Sequence, residues 1–152
     1  MRTVVWRGLD EPRMELARVD VSGTELRATG TQVGVAYELR YELEPELLRL
    51  DVVGDRRREV ALDGLDFFDL GNSPLFNSLP VLRDGLLDGG DAHEYVMRWV
   101  SVPDLGVHEQ RQRYEPIGSN VVRFRSGSFV ADIEFDAAGL VTRYPDLAER
   151  LG

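Results

Sequence analysis

From Leu70 to Leu82 the chain runs for 13 residues without a charge, between Asp69 and Arg83, although 30% of all residues are charged. A helix with no charged face has to be surrounded by protein. The rest of the chain must therefore supply an enclosure for this segment. Local signals favour a helix there. Ser73-Pro74 reads as an N-cap followed by a first-turn proline. Leu75, Leu79, Leu82 and Leu86 follow at helical spacing, with Phe76 beside them. Pro80 removes one backbone donor, so the spacing predicts a short or kinked helix over about 74–83, ending near Gly85.

The enclosure reads as β-strands. Tyr37, Leu39, Tyr41 and Leu43 alternate with Glu38, Arg40 and Glu42, the period-two pattern of a strand with one buried and one wet face. Leu26 and Ala28 repeat the pattern against Glu25, Arg27 and Thr29. Leu48, Leu50 and Val52 give another run, and Phe129, Ala131, Ile133 and Phe135 alternate with Asp132 and Glu134. Turn signals punctuate these runs at Ser22-Gly23, Gly54-Asp55, Asp63-Gly64, Gly89-Gly90, Gly118-Ser119-Asn120, Ser126-Gly127 and Gly139. Such spacing predicts an antiparallel meander, sandwich or barrel. No linker composition divides residues 1–152, so one domain is expected.

Two later stretches depart from simple alternation. In 95–102, Tyr95, Met97 and Trp99 face one way and Val96, Val100 and Val102 the other, so both faces look buried. In 108–115, His108, Gln110, Gln112 and Tyr114 alternate with Glu109, Arg111, Arg113 and Glu115, so both faces look polar. A strand without an apolar face lies at a sheet edge or lines a wet cavity, and the edge placement is preferred.

Charge and composition narrow the function classes. The formal net charge of −9 opposes nucleic acid and anionic membrane surfaces unless a local basic patch overrides it. Arg56-Arg57-Arg58, between Asp55 and Glu59, is the densest such patch and reads as a solvated turn. The chain has no cysteine and no lysine, which removes disulfides, thiolate chemistry and lysine Schiff bases. Residues 1–12 contain Arg2, Arg7, Asp10 and Glu11 and no apolar core of a secretory signal, so a cytoplasmic location is expected. The longest uncharged run is too short for an integral membrane span.

Catalytic motifs fail on inspection, and neither an enzyme nor a cofactor is expected. His108-Glu109 begins a zinc-protease pattern, but Gln112 stands where the second histidine would be. His93 is the other histidine, outside any ligand spacing, so no metal site is expected. Ser73 and Ser78 lack the glycines of a nucleophile elbow. Asp66 and Asp69 could form a carboxylate pair, with Arg7 as a partner, but solvated or capping roles are the plainer reading. The aromatic residues Trp6, Tyr37, Tyr41, Tyr95, Trp99, Tyr114 and Tyr144 could stack on sugars or line a lipid cleft. Core or rim packing is the plainer reading for any single one.

Several segments together resemble a family of small bacterial proteins described as glycolipid-binding. They are Trp6-Arg7-Gly8, Tyr37-x-Leu39-x-Tyr41, Ser73-Pro74-Leu75-Phe76-Asn77-Ser78-Leu79-Pro80, Trp99-Val100-x-Val102-Pro103, Gln112-Arg113-Tyr114, Phe129-x-Ala131-Asp132 and Tyr144-Pro145. The resemblance implies a spiral β-roll, a highly curved antiparallel sheet wrapped around a single central helix, assembling as a homodimer. It also implies non-catalytic binding of an amphiphilic, glycolipid-like ligand in a recess between sheet and helix. Trp6, Arg7, Tyr37, Tyr41, Asn77, Trp99, Gln112 and Tyr114 are the expected ligand-binding residues. The alternatives are a protein-interaction module using the polar strand at 108–115 and, behind it, a small carboxylate-dependent enzyme.

Overall fold

A computed structural model describes residues 1–54 and 56–152; the expected turn residue Asp55 lies outside them. The described strands are β1 (Arg2–Gly8), β2 (Met14–Ser22), β3 (Glu25–Gly34), β4 (Tyr37–Leu43), β5 (Leu47–Val52), β6 (Arg56–Ala61) and β7 (Phe67–Leu70). After a central helical segment come β8 (His93–Val100), β9 (Val107–Gly118), β10 (Val121–Ser126), β11 (Phe129–Phe135), β12 (Val141–Tyr144) and β13 (Ala148–Leu151). All 13 form one sheet in the order β6-β5-β4-β3-β2-β1-β13-β12-β11-β10-β9-β8-β7. The sheet is highly curved but not closed, and its edges are β6 and β7.

Neighbours are antiparallel except β7 and β8, which run parallel, Phe67 opposite Met97 and Leu70 opposite Val100. Parallel neighbours need a crossover, and the connection from β7 to β8 contains the uncharged segment. A 3-10 turn, Pro74–Asn77, leads directly into α1 (Ser78–Arg83). Residues 73–78 are all buried. The expected enclosure is present: Leu75 and Phe76 are 0% exposed and pack with Leu39, Tyr41, Leu43, Leu48 and Leu50 from the first half of the sheet. Val81 and Leu86 pack with Tyr95, Met97, Tyr114, Val122, Ile133 and Val141 from the second half. The helix thus fills the concave side and joins two apolar clusters.

Local details differ from expectation at Ser73 and at Arg56-Arg57-Arg58. Ser73 makes no side-chain cap; its hydroxyl donates instead to Glu15 Oε2 at 2.6 Å. Pro80 sits, as expected, in a short helix that ends at Arg83. It is the third residue of α1, in the first turn, where backbone donors have no partner within the helix anyway. Arg56, Arg57 and Arg58 form an exposed edge strand rather than a turn, a placement that discourages edge-to-edge pairing.

β9 is also not an edge: it is hydrogen-bonded to β8 and to β10. The other reading of a two-faced polar strand, that it lines a recess, matches the buried Gln112 and the half-buried Gln110. β8 has one buried row at Tyr95 and Met97, which passes to Val100 at the strand's end, so it is not buried on both faces.

Two glycines shape the first half of the sheet. Gly30 is the cross-strand partner of Tyr41, whose ring lies where a Cβ would stand. The ring therefore crosses β3 flat and its hydroxyl reaches Glu15 on β2, at 2.6 Å. Gly34 accommodates Tyr37 in the same way. Among the described residues, no helix is long and apolar enough to cross a membrane.

Two substitutions test this packing by urea denaturation. Phe76→Ala should cost about 3–5 kcal/mol by opening a cavity against Tyr41 and its neighbours. Gly30→Ala should cost about 1–3 kcal/mol by overpacking and should displace the Tyr41 ring.

Candidate functional site

The first requirement is a fixed floor. Glu15 and Gln32 face each other across β2 and β3, both buried on the concave side. Glu15 Oε2 accepts from Tyr41 and from Ser73, each at 2.6 Å. The Gln32 amide donates to the Gly71 carbonyl at 3.2 Å, and Tyr37 donates to Gln32 Oε1. These side chains pin the turn at 71–73 that leads from β7 into the central segment.

Above that turn is a recess of about 260 Å³. Asp69, Asn72, Ser73 and Asn77 form its floor. Trp99 of β8, Gln110 of β9, Phe124 and Ser126 of β10, Phe129 of β11 and Tyr144 of β12 form its walls. The polar floor is one directed chain of hydrogen bonds. Asn77 Nδ2 donates to the Tyr114 hydroxyl at 3.0 Å, and Tyr114 donates to Gln112 Oε1 at 3.4 Å. Gln112 Nε2 then donates to Asp69 Oδ2 and to Gln110 Oε1, both at 2.7 Å. The chain ends on acceptors that face the recess.

Burial raises the Asp69 carboxyl to about 6, opposed by the Gln112 amide. Asp69 is therefore mainly ionised at neutral pH and can accept hydroxyl donors. Above it stands an aromatic wall. Phe124 and Phe129 have ring centroids 6.0 Å apart, Phe129 and Tyr144 6.4 Å, and Phe129 is 49% exposed. A ring face beside strong acceptors suits a sugar, which presents a C–H face and a hydroxyl edge.

Four of the eight expected ligand-binding residues meet here: Asn77 and Trp99 line the recess, and Gln112 and Tyr114 form the buried chain beneath it. The other four lie elsewhere. Trp6 is 1% exposed in the core, its indole N–H donating to the Val141 carbonyl at 2.8 Å. Arg7 is on the outer face, paired with Glu149. Tyr41 is buried in the Glu15 clamp, and the half-buried Tyr37 borders a separate surface recess with Val52 and Pro103. Sequence reading also missed Gln110, Phe124 and Phe129. Gln110 was legible as the neighbour of Gln112 on one strand face. Phe129 read as the buried face of a strand and Phe124 carried no signal of its own, since nothing local says that β10 and β11 lie beside Trp99.

The recess lies between the start of the helical segment, at Ser73 and Asn77, and the strands of the second half, while Leu75 and Phe76 pack against the first half. Asp66 and Asp69 do not share a site: Asp66 accepts the Val96 amide at 2.8 Å and borders a different recess, with Phe67, Leu79 and Arg83.

Glu15 gives the clamp a measurable signature. Burial raises its carboxyl to about 7, against the hydroxyl donors Ser73 and Tyr41. The folded protein thus binds this proton more tightly than the unfolded chain, and the associated stability is complete below about 4.5 and lost as pH rises through about 7. Asp69 acts in the same direction, up to about 6. Denaturation midpoints should fall across this window, and Glu15→Gln should flatten the upper part of the fall; an unchanged profile would contradict the clamp's protonation.

The sequence profile of a family described as "Putative glycolipid-binding" matches residues 52–150. The match contains β7 to β12 and with them every lining residue of the recess. Among solved structures, the fold is similar to the crystal structure of a DUF1089 family protein from Pseudomonas aeruginosa, with a TM-score of 0.72. Identity is 21% over 90% of this chain and 92% of that one, a likeness that shows the fold. No curated protein matches. With a profile covering more than half of its length, the chain belongs to the glycolipid-binding family of that description.

Proposed function

We propose that the protein binds the sugar headgroup of a glycolipid, without catalysis, in the recess bounded by Asp69, Asn77, Trp99, Phe129 and Tyr144. The observation that carries this reading is the hydrogen-bond chain ending on Asp69 and Gln110 beneath the aromatic wall. At about 260 Å³ the recess is smaller than most drug-sized pockets, ~300–1,000 Å³, and suits a headgroup rather than a whole lipid. An attached acyl chain would lie along the exposed Phe129 side of the rim. The protein-interaction alternative loses its sequence support, since β9 offers no free edge.

Trp99 provides the readout, because the other tryptophan, Trp6, is sealed in the core. Octyl glucoside below its critical micelle concentration should change tryptophan emission in the wild type. Trp99→Phe should lose the response, and Asp69→Asn should weaken affinity by about tenfold through loss of a charged acceptor. Emission indifferent to the glycoside would reject the site.

The same reading includes a homodimer. On the outer face, Leu151, Val5 and Leu16 stand opposite one another across β13, β1 and β2, with Met14 and Val33 adjacent. Leu16, Met14, Val33 and Leu151 are exposed, and a two-fold contact through one self-complementary patch would cover them. Light scattering should report a dimer for the wild type and a folded monomer for Leu16→Glu.

A further inference from the structure

At one point on the outer face, between the start of β9 and the end of β10, the charge pattern of the sheet is broken. Elsewhere on that surface, arginines meet carboxylates across or along the strands. Arg49 lies 3.2 Å from Glu42 and 3.6 Å from Glu59, and Arg143 lies 3.2 Å from Glu149. On β9 and β10, by contrast, Arg113 stands directly opposite Arg125. Arg111 is two residues along β9 and therefore on the same face. Like charges directly opposite destabilise a ladder. Among the described residues, Arg111 and Arg125 make no ion pair, and Arg113 has Glu115 at 3.5 Å.

The three arginines border a recess of about 270 Å³, whose lining also includes Glu94, Val96 and the hairpin glycine Gly127, with Tyr95 and Gln112 between them along β8 and β9. Among the described residues Glu94, opposite Arg113, is the one carboxylate on its lining, and three arginines outnumber it. The walls are held in place: the strands are laddered on both sides, and the Ser126 hydroxyl donates to the Arg111 carbonyl at 3.2 Å. Gln112 lies between Arg111 and Arg113, and its side chain points to the opposite face, into the Asp69 chain. The two recesses are therefore separate, on opposite faces of the same strands.

We propose that this outer recess binds a phosphate group, carried by a small phosphorylated molecule or by a lipid headgroup. A guanidinium presents a planar fork of donors that pairs with oxyanions in charge-assisted hydrogen bonds. Three such forks converging from two strands call for more acceptor directions than a carboxylate offers, and a tetrahedral oxyanion supplies them. The net charge of −9 does not prevent this. Distant charges are screened beyond ~8 Å at physiological salt, while the arginines act in contact. A bound dianion would also relieve the repulsion between Arg113 and Arg125.

Inorganic phosphate is the first probe, compared with chloride at equal ionic strength. It should raise the melting temperature of the wild type and of Arg18→Gln, a control on the distant strand β2. Arg111→Gln with Arg125→Gln should lose the rise, with affinity reduced by about tenfold for each arginine removed. Amide shifts in the wild type give a readout independent of how the variants fold. Shifts centred on Val96, Arg111 and Gly127 support the site, and shifts centred on Asp69 and Trp99 overturn it. No phosphate-specific effect in the wild type, or one that survives the double substitution, also overturns it. Sedimentation with phosphatidylcholine vesicles, with and without phosphatidylglycerol, separates the two sources. Binding to the anionic vesicles that phosphate displaces indicates a lipid headgroup, and a phosphate response without vesicle binding indicates a soluble ligand. Both support the site.

Discussion

The turn at residues 71–73 must be held from below before anything above it can have a shape. It lies where a buried, uncharged segment leaves the sheet, and buried backbone carbonyls need partners. Gln32 satisfies the Gly71 carbonyl, and Glu15 takes the Ser73 hydroxyl away from the helix start. Tyr41 reaches the same carboxyl by lying across Gly30. A carboxyl at this depth is costly unless hydrogen-bonded or neutral, and its affinity for a proton near neutral pH is the expected compromise. Three strands of the first half of the sheet, β2 to β4, thereby fix one end of a recess whose walls belong to the second half.

That division organises the molecule. The first half, β1 to β6, packs Leu39, Leu43, Leu48 and Leu50 against Leu75 and Phe76, and its outer face carries crossing charges such as Glu42, Arg49 and Glu59. The second half exchanges part of its inner apolar row for Gln110, Gln112 and Tyr114. The exchange costs hydrophobic burial and is tolerable because each residue in the chain from Asn77 to Asp69 is hydrogen-bonded to the next. The family profile covers β6 to β12 and omits Glu15, Gln32, Tyr37 and Tyr41 of the clamp.

Much of the fold was legible in the residues. Alternation identified strands such as Tyr37–Leu43, and the uncharged stretch had to be enclosed because burial is the one stable setting for a helix without a polar side. The order of strands was not legible: nothing local in Val107–Gly118 distinguishes an edge from an interior strand, and that depends on what pairs on each side. Ser73 misled for a similar reason, since a serine before a proline has the right chemistry to cap, and only the buried Glu15 diverts it. For the site, residue type marked Gln112, Tyr114, Asn77 and Trp99, but Trp6 and Tyr41 looked the same in sequence and lie in the core. A polar tip says that a ring needs a partner, not whether the partner is protein or ligand.

The pairing of β1 with β13 has a consequence for assembly. Val5 sits opposite Leu151 and Gly8 opposite Ala148, so the middle of the sheet is stitched from segments almost a full chain length apart. During synthesis, the half that emerges first holds an unsatisfied strand flank until residues 148–151 arrive. Loop-closure entropy must be met before that contact returns anything, which favours slow maturation and a window for intermolecular strand exchange. A ribosome-associated chaperone shielding the flank of β1 would matter more for this architecture than for one whose ends lie at its margins.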